Sequence, residues 1–241
     1  MTEKTYFAVI GDIISSKKAT DRNQLQERLN DVLNDINKTY AKDIASKFVI
    51  TLGDEFQGLL IKAERLLEIT DRIKFLMEPV EIRFGIGIGN IETKINKESS
   101  VGADGPAFWN ARKAINIIHD HNDYKRSKIM IQAGLNEEDE NENEFLNVVN
   151  ESLHLCDYME SKWRKTQKNV IKESILHFGY DTKITQKELS VLLNLSVQSV
   201  NFKIKNTGYY NYLRTKKSIC EALQEMWGND KRNGKENKKI K

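Results

Sequence analysis

Two apolar segments of the chain each end on a glycine followed by an aspartate. The first begins at Phe7 and ends on Asp12, and the second begins at Phe48 and ends on Asp54. A carboxylate at the end of a buried strand is costly unless a counter-charge pairs with it, and two neighbouring carboxylates repel each other. Mg²⁺ is typically held by one or two carboxylates together with phosphate oxygens. The sequence therefore predicts a site for Mg²⁺ or Mn²⁺ at Asp12 and Asp54, beside a bound nucleotide.

The spacing of apolar residues predicts the element order β-α-β-β-α-β, followed by α-β. Strands are expected at 5–14, 47–52, 56–61, 81–91 and 127–131, and helices at 22–40, 62–78 and 104–121. The first six elements have the order of a split ferredoxin-like unit, which folds into one antiparallel sheet with helices on one face. The fold class is therefore predicted to be α+β, with a ferredoxin-like antiparallel sheet followed by an all-α domain.

The predicted strand at 81–91 alternates apolar residues with glycines. Gly85, Gly87 and Gly89 share one face of it, and the apolar residues between them are expected to face the helices. Glycines in a strand often mark close approach by a ligand or by another backbone. Two explanations therefore stay open for this face, which are access for a ligand and tight packing against another chain.

The segment 184–204 fits a helix-turn-helix. Thr185 and Glu188 are spaced as a capping box for the first helix. Asn194 stands where the chain must turn, and asparagine tolerates a left-handed backbone. Ser196 is placed to cap the second helix. The spacing therefore predicts two short helices, the second of which would be a recognition helix.

The side chains that this recognition helix would present to double-stranded DNA are polar or basic. Glutamine and asparagine pair with adenine edges, and lysines neutralise phosphates. Residues 160–241 carry 18 Lys and Arg against 8 Asp and Glu, which favours a polyanionic partner over a plain packing module or a solubilising surface. The predicted DNA contacts are Gln198, Ser199, Asn201, Lys203 and Lys205, with further phosphate contacts from Arg214, Lys216 and Lys217.

These features divide the chain into four parts. The sheet occupies the first part, and the acidic stretch with six acids between 137 and 144 opens the second. A continuous helix over about 145–178 is expected to connect the sheet to the helix-turn-helix. The predicted parts are a sheet domain at 1–135, an acidic loop and helical connector at 136–178, a DNA-binding domain at 179–228 and a disordered basic tail at 229–241.

The first part resembles the palm-type core of the class III nucleotidyl cyclases and the GGDEF diguanylate cyclases. Asp12 and Asp54 match their two metal-binding aspartates, and the glycine-rich strand and the segment from 102 to 113 follow in the same order. The resemblance implies nucleotide contacts at three glycines, which are Gly11, Gly53 and Gly105. Because class III sites usually form between two subunits, it also implies a homodimer, for which the glycine-bearing strand face is a candidate surface.

The chain departs from the cyclase pattern at the residues that would stabilise the transition state. With Gly105 as the anchor, the family's asparagine falls on Trp109 and its arginine on Lys113. Asn110 and Arg112 are close but out of register. The catalytic candidates are therefore Arg112, Lys113 and Asn110. Three functions stay open for the chain. It could be a nucleotide-responsive DNA-binding regulator, a nucleotidyl cyclase or related phosphoryl-transfer enzyme, or a degenerate palm that serves only as a scaffold.

Taken as a whole, the palm-like segment, the helical connector and the helix-turn-helix resemble the SatD family over nearly the full chain. This resemblance implies a bacterial, cytoplasmic protein. Two widely separated cysteines, Cys156 and Cys220, indicate free thiols, and no apolar run is long enough to cross a membrane. A second, weaker metal site is suggested by a short cluster of side chains, which are His119, Asp120, His121 and Asp123.

Overall fold

The computed structural model describes residues 4–14, 22–120, 127–134 and 140–228. Within these ranges the chain is α+β, with one five-stranded mixed sheet and eight helices. The strands are β1 (Tyr6–Ile13), β2 (Ile44–Leu52), β3 (Glu55–Leu60), β4 (Ile82–Gly89) and β5 (Ile129–Gln132). The helices are α1 (Arg22–Thr39), α2 (Leu66–Met77), α3 (Pro106–Asp120), α4 (Glu140–Ser161), α5 (Lys165–Phe178), α6 (Gln186–Leu193), α7 (Val197–Ile204) and α8 (Tyr209–Trp227).

The sheet has the strand order β2-β3-β1-β4-β5, so β1 lies at its centre. The pairs β2–β3, β3–β1 and β1–β4 are antiparallel, as predicted. The fifth strand differs, because β5 runs parallel to β4. A parallel neighbour needs a crossover connection, which α3 provides between these two strands.

The two faces of the sheet carry different helices. Phe84, Ile86 and Ile88 face the main core with α1 and α2, as their alternation predicts. The two helices of the predicted split unit, α1 and α2, pack together on this face, whereas α3 packs on the other face of the sheet. A Cβ atom at Gly87 would collide with the Ala107 carbonyl oxygen, so the glycines let the α3 backbone approach the strand. Ligand access and packing against another chain are therefore both wrong for this face, which is also not a dimer surface.

The expected single connector helix is two helices. α4 ends at Ser161, and α5 begins at Lys165 behind Arg164, whose backbone N–H donates to Gln167 Oε1 at 2.9 Å. Between them Trp163 is 9 % exposed, and its Nε1–H donates to the Thr207 carbonyl over 2.8 Å. Burial of this indole against the start of α8 therefore bends the chain at the break.

The pair of short helices forms as predicted. Thr185 and Glu188 make the capping box, Asn194 takes a left-handed backbone with φ 50°, and Ser196 caps α7. Val200 is buried, but Val197 is 40 % exposed, although its spacing predicts an inward position. Val197 is the first residue of α7, where the helix has only begun to turn towards its neighbours.

The C-terminal helices pack onto α2 and extend the main core. Asp71 of α2 accepts hydrogen bonds from Lys216 of α8 at 2.7 Å and from the Tyr180 hydroxyl at 2.6 Å. Lys216 is 1 % exposed, so its predicted role as a phosphate contact is wrong. Cys156 and Cys220 are free, as predicted, and both are buried. The predicted tail at 229–241 lies outside the described residues, as do 135–139 of the acidic stretch.

Candidate functional site

Three charged residues form a row across the end of the sheet. Asp12 on β1 is in register with Glu55 on β3 and with Arg83 on β4. Because successive strand residues point to opposite faces, all three side chains lie on the face that α3 covers. Asp12 is at the centre of the row, and one Arg83 guanidinium nitrogen lies 3.7 Å from its Oδ2.

Helix α3 places two further basic side chains over this row. Arg112 makes a two-point contact with Glu55, Nη1 on Oε2 and Nη2 on Oε1, the second at 2.7 Å. His119 follows seven residues later, about two helical turns, so it lies on the same side of the helix. Its Nε2 is 3.5 Å from Oδ2 of Asp12. We call Asp12, Asp54, Glu55, Arg83, Arg112 and His119 the sheet-end cluster.

The electrostatics of Asp12 are those of an acid whose charge is incompletely compensated. Partial burial raises the pKa of its carboxyl above the usual value, and the negative charge of Asp54 raises it further. Arg83 and His119 lower this pKa, but together they do not cancel the effect of burial. The Asp12 carboxylate would therefore be stabilised by an additional positive charge, such as a bound cation.

Asp54 is brought to the cluster by the tight turn between β2 and β3. Gly53 has φ +59° in this turn, and the Asp54 carbonyl accepts a hydrogen bond from Ile13 N–H at 3.1 Å. This bond anchors the turn to the end of β1, beside Asp12. Asp54 is therefore close enough for its negative charge to raise the pKa of the Asp12 carboxyl.

The residues present suit a Mg²⁺ ion that is held partly by phosphate, rather than a closed metal cage. Across the described ranges, no group of three or more His, Cys, Asp or Glu side chains is arranged to hold a metal ion. Arg112 contacts Glu55, and Asp12 and Asp54 are the carboxylates predicted to hold the ion. Mg²⁺ commonly uses one or two carboxylates and takes its remaining ligands from water and phosphate.

A groove of about 590 Å³ runs along α3 beside the cluster. Phe108 and Trp109 contribute aromatic surface to it, and the Trp109 indole N–H donates to Asp104 at 2.7 Å. Arg112 and Lys113 line the same groove. The groove therefore combines aromatic surface with basic side chains next to the carboxylates.

The structure separates Asn110 from the other two catalytic candidates, Arg112 and Lys113, which line the same groove. Arg112 also belongs to the sheet-end cluster. Asn110 is buried, and its side-chain amide donates to the Ile88 carbonyl at 2.9 Å, where it ties α3 to β4. An asparagine in this position serves the packing of helix on strand, and the structure does not bring it to Asp12.

Each of the three glycines predicted to contact a nucleotide has a local structural reason. A Cβ at Gly11 would overlap the ring of Phe56, and Gly53 has the positive φ of its turn. Gly105 has φ +145°, and a Cβ there would come within 2.8 Å of Glu92 N. Packing and turn geometry therefore explain these residues, and nucleotide contact by them stays a prediction.

The outward face of α7 is a separate polar surface. Gln198, Asn201 and Lys205 are exposed, and Phe202 is 78 % exposed between them. Of the other predicted DNA contacts, Ser199 and Lys203 are half-buried; the Ser199 N–H donates to the Ser196 cap, and Lys203 lines a cavity with α5. We call Gln198, Asn201, Phe202 and Lys205 the α7 surface.

A family model described as the SatD family matches residues 6–223. The chain belongs to the SatD family. A search of curated proteins found no match. The family match runs from the start of β1 to within α8, so it contains both the sheet-end cluster and the α7 surface of this SatD-family protein. None of the described helices is both long and apolar enough to cross a membrane.

Sequence reasoning missed three members of the cluster in this SatD-family chain. Glu55 and Arg83 could have been found from strand register, because both lie one strand away from Asp12 on the same face. The sequence places His119 instead in the weaker metal site with His121, which lies outside the described residues. The contact of Arg112 with Glu55 depends on α3 packing over the sheet, which the strand and helix periods do not reveal.

Proposed function

We propose that this SatD-family protein is a DNA-binding regulator whose sheet domain binds a nucleotide together with Mg²⁺. The α7 surface carries this proposal. Gln198, Asn201 and Lys205 are exposed, while Val200 and Ile204 on the opposite side of the same helix are buried. Side-chain amides can read adenine in the major groove, and lysine neutralises phosphate.

The packing around α7 supports a recognition role. α5, α6 and α7 pack on one another, and the turn between α6 and α7 is fixed by Asn194 and the Ser196 cap. A recognition helix must be held rigidly so that its side chains keep their register on the bases. Exposed cations on the flanking segments would contact the phosphate backbone, namely Lys183, Lys187, Arg214 and Lys217.

The sheet-end cluster supports the nucleotide half of the proposal. Asp12 and Asp54 would share a cation with the phosphates of the ligand, and the groove beside Trp109 would receive the base. The antiparallel order β2-β3-β1-β4 is that expected for the palm-like core, with the two aspartates at one end of the sheet. A bound Mg²⁺ would supply the additional positive charge needed to compensate the Asp12 carboxylate.

The DNA half can be tested without a known operator. Selection from a random duplex library should yield a preferred sequence, whose affinity and salt dependence are then measured by fluorescence anisotropy. Gln198→Ala with Asn201→Ala should relax the preference at individual bases by about 1–3 kcal/mol each. Lys205→Ala should weaken binding to all sequences, whereas Asn30→Ala, an exposed asparagine of α1, should change nothing. If the double variant at Gln198 and Asn201 keeps the native base-sequence preference, the proposal that the α7 surface reads DNA is wrong.

A phosphoryl-transfer enzyme is the second candidate, and the presence of two guanidinium groups in the cluster favours it. Arg83 and Arg112 lie beside the carboxylates, where positive charge would stabilise charge developing on a phosphate. Incubation with ATP or GTP and Mg²⁺ or Mn²⁺, followed by chromatography of the nucleotides, tests it. A new nucleotide that Arg112→Ala no longer yields would support an enzyme, and unchanged substrates would exclude it for these two nucleotides.

A further inference from the structure

Helix α4 has an outward face that exposes large apolar side chains. Val148 is 67 % exposed, Leu155 64 % and Tyr158 46 %. Leu153 and Cys156, on the opposite side of the helix, are buried in the core. Apolar exposure that recurs along one side of a helix is typical of a surface for another protein.

The outward residues of α4 follow the spacing of a coiled-coil seam. Their positions differ alternately by four and three residues, which keeps one narrow stripe facing a partner helix. An acid begins the stripe, a base ends it, and the apolar residues lie between. The seam consists of Glu144, Val148, Glu151, Leu155 and Tyr158 of α4 and of Lys162 directly after its end, all exposed.

We propose that this seam pairs with the same seam of a second copy of the chain, with the two α4 helices antiparallel. In that arrangement Val148 packs on the partner's Tyr158, and Leu155 on the partner's Glu151. Glu144 then faces the partner's Lys162, once at each end of the paired helices. A twofold axis on the seam side of α4, at the level of residue 153 along the helix, generates all of these layers, as required for a closed dimer with identical surfaces.

The distribution of charge selects the antiparallel direction and the identity of the partner. A parallel pair would place Glu144 on Glu144, Glu151 on Glu151 and Lys162 on Lys162, and each of these contacts is repulsive. The charge of the sequence follows the same trend beyond the seam, since Arg164 and Lys165 come after it and five acids between 137 and 142 come before it. The Lys162 ammonium already lies over the Tyr158 ring, 4.9 Å from its centroid. One surface of this chain thus complements itself.

Sedimentation of the full-length protein over a dilution series tests the dimer. The native chain should show a concentration-dependent monomer–dimer equilibrium, and Leu155→Asp should raise the dissociation constant at least about tenfold. Asn147→Asp adds the same charge to an exposed position on α4 beside the seam and should have little effect. A native chain that stays monomeric at the highest concentration would overturn the proposal and would point to a different partner protein.

Charge reversal distinguishes this pairing from any other contact of α4. Glu144→Lys and Lys162→Glu should each weaken the dimer, because each places like charges at both ends. The double variant should recover the native dissociation constant, and an equimolar mixture of the two single variants should associate more tightly than either alone. If neither the double variant nor the mixture recovers dimerisation, the antiparallel register is wrong.

Discussion

Asp71 in α2 and Asp12 in β1 are both acids with two basic neighbours, but their surroundings differ in burial and in the completeness of their contacts. Asp71 is 1 % exposed and accepts hydrogen bonds at 2.6–2.9 Å from Tyr180, Tyr212, Lys216 and Lys74. Asp12 is partly exposed, and its ion-pair partners Arg83 and His119 lie 3.7 and 3.5 Å away.

The pKa values of the two acids move in opposite directions for this reason. Burial favours the protonated form of Asp71, but the charges of Lys216 and Lys74 outweigh it and hold the pKa of Asp71 well below its usual value. At Asp12 burial outweighs Arg83 and His119, so the pKa of that carboxyl is raised. A carboxylate with a full set of hydrogen-bond partners stabilises the fold, whereas a carboxylate whose negative charge is only partly neutralised can bind a cationic ligand.

The largest expected effect is at the buried pair. Lys216→Met leaves the Asp71 charge without its partner at 2.7 Å and should lower the free energy of unfolding by about 3–5 kcal/mol. Urea unfolding measures this. Lys217→Met removes an exposed lysine from the next position and should change the free energy by less than about 0.5 kcal/mol. A Lys216→Met variant as stable as Lys217→Met would contradict the assignment of Asp71 and Lys216 to the fold.

The second effect concerns another acid near the same buried network. Burial raises the pKa of Asp157 to about 6, although Lys216, Lys74 and the Lys128 N–H all favour its charged form, while Glu160 opposes it. Because the folded protein then holds the proton more tightly than the unfolded chain, stability should fall as pH rises from about 4 to about 6, by up to about 3 kcal/mol.

Asp157→Asn should remove this pH dependence, because the amide stays neutral and its oxygen can still accept from Lys128 N–H. The variant should therefore be more stable than the native protein at neutral pH, and the difference should shrink towards pH 4. Urea unfolding at several pH values measures both curves. Parallel curves for the two proteins would show that Asp157 does not titrate in this range.

A smaller effect is expected where Arg112 contacts Glu55. Arg112 is nearly half exposed, so solvent screens the pair, and Arg112→Ala should cost only about 1 kcal/mol or less in unfolding free energy. The same substitution frees Glu55 as a third carboxylate and should strengthen binding of Mn²⁺ alone, which is measurable by electron paramagnetic resonance. Weaker Mn²⁺ binding would mean that Arg112 holds the carboxylates in place rather than competing with a cation.

The smallest effect on stability is expected at the acid that we assign to ligand binding. The fold raises the pKa of the Asp12 carboxyl, so its charged form destabilises the folded protein at neutral pH. Asp12→Asn removes this charge and should therefore increase the free energy of unfolding by about 1 kcal/mol or less. Thermal unfolding without added metal measures this. A loss comparable to that of Lys216→Met would place Asp12 with Asp71, as a structural acid.

The sequence predicted the elements well and their long-range contacts poorly. Alternation and helical spacing depend only on which side of an element is buried. The sequence pattern alone therefore predicts β1, the β2–β3 hairpin, and the helices α6 and α7 with their caps. Asp71 and Lys216 are 145 positions apart in the chain, and the local sequence around either residue does not indicate that they pair. The position of α3 across the glycines and the turn at Trp163 likewise depend on packing partners distant in the chain.

Calorimetric titration of the native protein with ATP and GTP, in Mg²⁺ and then in EDTA, tests most directly whether the sheet-end cluster is a ligand site. We expect binding that requires Mg²⁺ and that weakens as pH falls, because the pKa of the Asp12 carboxyl is raised. Binding should disappear in Asp12→Ala while the variant remains folded. Binding that persists unchanged in Asp12→Ala, or no binding of either nucleotide by the native protein, would contradict this expectation.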